Sequence, residues 1–196
     1  PYKELNMIEN FNKAIDASIE LKNNLRFLNK KINVVTEKIY NCFKKKNKVL
    51  ICGNGGSAAD AQHLAAEFLI RLNPKINRAP FPVINLAQDT STITACGNDL
   101  GFDNIFLRNL MAFGKKGDLL IVISTSGNSK NIIKALKKAK EKKITSIGLL
   151  GNKGGICRKY CNYDLVVPHT NTARIQECHI FLGHYIFNEV EKKLLK

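Results

Sequence analysis

The stretch Leu119-Leu120-Ile121-Val122-Ile123-Ser124-Thr125-Ser126-Gly127-Asn128-Ser129 decides the fold. Its five apolar residues, three of them β-branched, read as a short strand buried on both faces. The hydroxyl- and glycine-rich turn ends that strand and opens a helical pattern running to about Lys142. The same alternation recurs on either side. Val49-Leu50-Ile51-Cys52 reads as a strand that passes through Gly53-Asn54-Gly55-Gly56-Ser57 into a helix from about Ala58 to Leu72, closed by Asn73-Pro74. Val83-Ile84-Asn85-Leu86 is a second strand, Asp89-Thr90-Ser91 a helix start, and Asp103 to Phe113 a helix stopped by Gly114. Thr145 to Leu150 and Leu165-Val166-Val167 complete the strands, and Thr172 to Leu195 closes the chain as a long helix. Five apolar strands alternating with helices predict an α/β fold, a five-stranded parallel sheet covered on both faces. Ligands of such sheets bind at the carboxyl ends of the strands, where both glycine- and serine-rich loops fall.

Ahead of the sheet, Ile8, Phe11, Ile15 and Ile19, then Leu25, Leu28, Ile32, Val35, Ile39 and Cys42, recur at helical spacing. Asn23-Asn24 is the break, giving a helical hairpin or one bent helix. The chain reads as one domain, 1–196, with about 1–46 a helical extension whose apolar stripe suits subunit association.

A 196-residue chain that is 44% apolar and 24% charged can bury a core unaided and is neither disordered nor fibrous. Lys and Arg total 31 against 16 Asp and Glu, a net charge of +15. Much of the excess lies in Lys44–Lys48 and Lys137–Lys143, where predicted helices end and cations favour the dipole. Trp is absent and no aromatic residues interleave with the Lys runs, so a nucleic-acid partner is not expected. No apolar run approaches the roughly 18 residues of a membrane span, and no membrane partner is expected. Pro1-Tyr2-Lys3-Glu4-Leu5 carries no apolar secretion signal, which gives a cytoplasmic expectation. The six cysteines form no CxxC pair and read as reduced core thiols; Cys157 and Cys161 stand four apart but lack the four ligands of structural zinc.

Gly53-Asn54-Gly55-Gly56-Ser57-Ala58 fits G-x-G-x-x-G/A, but no acidic residue follows at about 20 residues to hold a ribose; Asp89 lies 36 past Gly53. A tight turn with exposed N–H groups is what remains. Ser124, Thr125, Ser126 and Ser129 around Gly127 form a phosphate cradle at a helix N-terminus. Turn and capping chemistry accounts for two of these hydroxyls and leaves two over. The loop lacks the Gly-Lys-Ser/Thr of a nucleotide P-loop, so a monophosphate ester suits it better. His63 and Glu67 share a helix face directly after the first loop, while Gln176, His179 and His184 punctuate the apolar last helix. Imidazoles with a carboxylate suit zinc or proton transfer.

Gly53-Asn54-Gly55-Gly56-Ser57, His63-x-x-x-Glu67, Gly97-Asn98-Asp99, Ser124-Thr125-Ser126-Gly127-Asn128-Ser129 and Arg174-Ile175-Gln176-Glu177-x-His179 resemble the phosphoheptose isomerases of the sugar isomerase (SIS) superfamily. The resemblance runs almost end to end and implies a SIS, flavodoxin-like fold. It implies conversion of sedoheptulose 7-phosphate to D-glycero-D-manno-heptose 7-phosphate for surface heptose. It carries phosphate contacts onto Ser124, Thr125, Ser126 and Ser129, and sugar contacts onto Asn54, Gly55, Gly56, Ser57, Glu67, Asn98, Asp99 and Gln176. It carries one zinc per subunit onto His63, Glu67, Gln176 and His184, and implies a homotetramer. Leu69-Ile70-Arg71-Leu72 departs from the family pattern, which has a small residue and an aromatic flanking the arginine.

Moving a carbonyl between C2 and C1 requires proton transfer through a cis-enediol. Glu67 is the expected carbon base and His184 its acid/base partner. The alternative is a noncatalytic SIS protein that senses a phosphosugar or docks on a replication initiator; the His63, Glu67, Gln176 and His184 set favours the enzyme.

Overall fold

The computed structural model describes residues 2–195, with side chains from residue 9 onward. The Ile8 side chain, the first of the predicted apolar stripe, and those of the opening Pro1–Leu5 lie outside the described residues.

Strands β1 (Val49–Gly53), β2 (Val83–Asn85), β3 (Leu119–Ser124), β4 (Thr145–Gly151) and β5 (Tyr163–Val167) form one sheet in the order β2-β1-β3-β4-β5. Every neighbouring pair is parallel. Successive strand residues point to opposite faces, and here each face has its own core. Val49, Ile51, Leu119, Ile121 and Ile123 join one buried cluster, while Leu50, Cys52, Leu120 and Val122 join the other. Both β1 and β3 are buried along their whole length, which is why they read as unbroken apolar runs.

Helices α2 (Asn29–Lys44), α3 (Gly56–Leu69) and α7 (Thr172–Leu194) cover the first face. Helices α4 (Thr90–Asp99), α5 (Ile105–Phe113) and α6 (Lys130–Glu141) cover the second. Asp89 caps α4 by accepting from the Thr92 N–H at 2.8 Å, as its position before the helix predicts. Helix α1 (Tyr2–Asn24) continues through a 3-10 turn, Leu25–Leu28, into α2. Asn24, Leu28 and Asn29 all keep right-handed helical dihedrals, so the extension is one bent helix and not a hairpin. Its two halves differ in environment. Ile32, Val35 and Ile39 of α2 are buried in the core, whereas Phe11, Ile15 and Ile19 of α1 are 66%, 41% and 55% exposed.

Helix α3 ends at Leu69, three residues before the expected stop. Asn73-Pro74 does not close it. The Arg78 guanidinium returns to the helix end and donates to the carbonyls of Glu67 and Phe68, each at 2.9 Å, satisfying groups that a helix terminus leaves unpaired.

The chain reverses direction across the sheet between β1 and β3, so a crevice opens beyond their carboxyl ends. Gly53 of β1 lies in register with Ile123 of β3. The two loops picked out in the sequence therefore leave from adjacent strands at the same level.

Candidate active site

Helices α3 and α7 lie side by side and run in the same direction. A β-carbon added to Gly56 would fall 2.5 Å from the Gln176 amide nitrogen, and one on Gly183 would fall 2.5 Å from a Leu64 methyl. Further along, the Phe68 and Phe187 rings pack with centroids 4.1 Å apart and planes tilted by 38°. This seam brings together residues far apart in sequence. His63 adjoins Leu64, and His184 adjoins Gly183.

The result is a three-residue cluster. His63 Nε2 stands 3.0 Å from Glu67 Oε1 and 3.2 Å from His184 Nε2. One ligand atom from each of His63, Glu67 and His184 lies within 4.8 Å of the others. Two imidazole nitrogens facing each other at this distance require a proton or a cation between their lone pairs. Nitrogen and oxygen donors so converged are what a divalent metal takes. The His63 side chain is half exposed, so the cluster is open to solvent in the single chain.

Gln176 lies on the same seam, against Gly56, about two helical turns before His184. Arg174 and Glu177 of the same motif serve the extension. Arg174 donates to the Ala14 carbonyl at 2.8 Å, and Glu177 accepts from Ser18 Oγ at 3.0 Å. His179 is wholly buried and turned towards the Leu150 backbone, yet neither ring nitrogen reaches hydrogen-bond geometry. Burial pulls its pKa down to about 4, so the ring is neutral.

The first loop begins α3 at Gly56, and the second begins α6 at Lys130, so two helix N-termini open on the same crevice. The Asn54 and Asn131 amides exchange hydrogen bonds at 2.9 and 2.8 Å and tie the loops together. Buried Ser57 sits at the first turn of α3. In the second loop the four hydroxyls divide. Ser124 accepts from the Gly127 N–H at 3.0 Å and Ser126 from the Asn128 N–H at 3.2 Å, which shapes the turn. Thr125 and Ser129 hydroxyls have no hydrogen-bond partner among the described residues and stay free for a ligand; Ser129 starts α6 without capping it through its side chain.

Asn98 and Asp99 end α4, exposed, with Asn98 donating to its neighbour at 2.8 Å. Asp99 borders a shallow groove with Thr92 and Arg108. No hydrogen bond among the described residues joins this pair to either loop or to the histidines.

Several residues outside the predicted set shape the site. Asp60, one turn before His63, keeps Oδ2 buried and unpartnered. Burial pushes its carboxyl pKa up, and the neighbouring His63 and His184 draw it partly back. Gly154 and Gly155 buttress the second loop: Gly127, at φ +66°, lies so close that a β-carbon would fall 2.1 Å from the Gly154 carbonyl oxygen. Only a residue without a side chain fits there. Gly183, which lets α7 approach Leu64, did leave a mark in the sequence, as a glycine inside a helical run.

Among the described residues, neither Cys157 nor Cys161 joins a converged group of three or more metal-ligand side chains. Burial raises their pKa values to about 11 and 12, so both remain thiols.

Residues 11–151 match the SIS domain, which makes this a SIS-domain protein. The phosphoheptose isomerase of Clostridium acetobutylicum is 47% identical over 192 residues, covering 95% of this chain and 96% of that protein. That of Chlorobaculum tepidum is 52% identical over 157 residues, 80% of this chain and 75% of its own length. The solved phosphoheptose isomerase of Francisella tularensis superposes with a TM-score of 0.90 at 34% identity, covering 95% of this chain and 98% of that one. That of Neisseria gonorrhoeae gives 0.88 at 39% identity over 95% and 99%. The chain belongs to the phosphoheptose isomerase family.

Proposed function

We propose that this protein is an aldose–ketose isomerase that converts sedoheptulose 7-phosphate to D-glycero-D-manno-heptose 7-phosphate for surface heptose. The observation that carries the reading is the convergence of His63, Glu67 and His184 beside a crevice flanked by two helix N-termini.

The ester phosphate would lie on the second loop, where the Thr125 and Ser129 hydroxyls are free and the α6 dipole favours negative charge. A chain of net charge +15 attracts such an anion from a distance. Backbone N–H groups of Asn54, Gly55 and Gly56 would orient the sugar, because the Asn54 side chain is engaged with Asn131. Asn98 and Asp99 join the proposed sugar contacts only if the assembled protein brings them to the crevice.

Glu67 presents one oxygen, Oε1, to His63 and leaves the other without a hydrogen bond among the described residues. That oxygen is the proposed base for the carbon-bound proton. His184, with its ring nitrogen at His63, would pass the hydroxyl proton as the cis-enediol forms and collapses only while that nitrogen is not held by the metal. His63, Glu67, Gln176 and His184 are the proposed holders of one zinc per subunit; bound there, it would polarise the sugar oxygens as a Lewis acid. The exposed Phe11, Ile15 and Ile19 stripe supports assembly into a homotetramer. No helix among the described residues is long and apolar enough to cross a membrane, and the working compartment is proposed to be the cytoplasm.

The test is turnover of sedoheptulose 7-phosphate before and after chelation, with solvent deuterium uptake at the reacting carbon. Glu67→Gln should abolish uptake. Unchanged uptake removes Glu67 as base, and no turnover in any metal state removes the isomerase reading.

A further inference from the structure

The seam between α3 and α7 ends in a buried ion pair that the site chemistry leaves unexplained. Arg78 Nε lies 2.5 Å from Glu191 Oε1, and each side chain is 2% exposed. A second arm of the same guanidinium donates to the carbonyls of Phe68 and Ala79, and the third donates to that of Glu67. Phe81 stacks on its face, with the guanidinium carbon 4.5 Å from the ring centre. Arg78 thus holds the last turn of α3 with two arms and α7 with its Nε. One of the carbonyls it grips belongs to Glu67, the carboxylate of the cluster.

We infer that Arg78 is a positioning residue: with Glu191 it fixes α3 against α7 and so sets the spacing of His63, Glu67 and His184. A planar fork can bond several acceptors at fixed angles, which an ammonium cannot reproduce. Buried ion pairs contribute little net stability over apolar residues of similar size, so a purely stabilising role would not require one here. Towards the other end the helices meet through close packing, Gly56 against the Gln176 amide and Gly183 against Leu64, with no ion pair among the described residues. The polar end is where a small rotation of α7 would carry His184 away from His63.

The inference rests on the reading of the cluster as a metal site, and the test separates the two. Cobalt(II) is titrated into metal-free protein and followed by its visible absorption, with thermal unfolding alongside. Removing one partner alone strands a buried charge and risks misfolding, so the main variant is Arg78→Met with Glu191→Leu; Arg78→Lys is the conservative one. Both should keep a wild-type melting temperature within a few degrees yet bind cobalt roughly tenfold or more weakly, as loss of supporting contacts does at metal sites. Cobalt binding equal to wild type in the folded double variant overturns the inference. If the wild type itself takes up no cobalt, the metal reading falls. The staple is then judged by the nuclear Overhauser effect between the His63 and His184 rings, whose centroids are 4.9 Å apart. Its loss in the double variant supports the inference and its persistence overturns it.

Discussion

Gly183 of α7 meets Leu64 of α3 so closely that a single added β-carbon would stand 2.5 Å from a leucine methyl. Leu64 is fully buried and cannot swing out to make room. Gly183→Ala should therefore force the two helices apart and cost about 1–3 kcal/mol. His184 follows Gly183 and His63 precedes Leu64, so metal affinity should fall with it. Adding Leu64→Ala to Gly183→Ala should restore metal binding in part, read by cobalt titration of the two variants.

Gly127 has no such remedy. Its φ is +66°, and a β-carbon would meet backbone, the Gly154 carbonyl oxygen at 2.1 Å. Gly127→Ala should cost about 1–3 kcal/mol in backbone strain and distort the proposed phosphate loop. Steady-state kinetics should show KM for the phosphosugar rising more than kcat falls; an unchanged KM would dissociate this loop from the phosphate.

The four loop hydroxyls should separate by experiment. Ser124 is buried and accepts from the Gly127 N–H, so Ser124→Ala leaves that donor unsatisfied and should lower stability by about 1–3 kcal/mol. Thr125→Val and Ser129→Ala remove hydroxyls with no protein partner. They should leave the melting temperature unchanged and raise KM, or else neither oxygen touches substrate.

His179 should make stability depend on pH. Its folded-state pKa is depressed to about 4 from an ordinary 6.5, so between these values the unfolded chain binds a proton that the folded chain refuses. The contribution is complete above pH 6.5 and is lost as pH falls towards 4, about 3 kcal/mol in all at 1.36 kcal/mol per pKa unit. Denaturant melts of wild type and His179→Leu across this window should show the variant with a shallower slope, by up to one proton. Equal slopes would place the titration elsewhere.

The architecture was legible because it is written in local patterns. Runs such as Leu119–Ile123, short, β-branched and ended by a Ser/Gly turn, read as strands buried on both faces, and Asp89 caps α4 through a bond that spans three residues. His63 and Glu67 could be paired from sequence because four residues place two side chains on one helix face. The division of hydroxyls in the second loop was legible in number but not in identity. Which of them shape the turn depends on backbone dihedrals, and these are settled by Gly154 pressing on Gly127 from another strand's loop.

What the sequence by itself determined was the order of strands and helices, the two loops at strand ends and the types of donor available. Only the tertiary structure decided that His184 meets His63, that α3 stops at Leu69, and that Arg78 links Glu67's backbone to Glu191. Periodicity reports which face of a helix is apolar, but not which helix lies against it or at what height. That is set by contacts over more than a hundred residues of chain, such as the Leu64 side chain filling the space that Gly183 leaves.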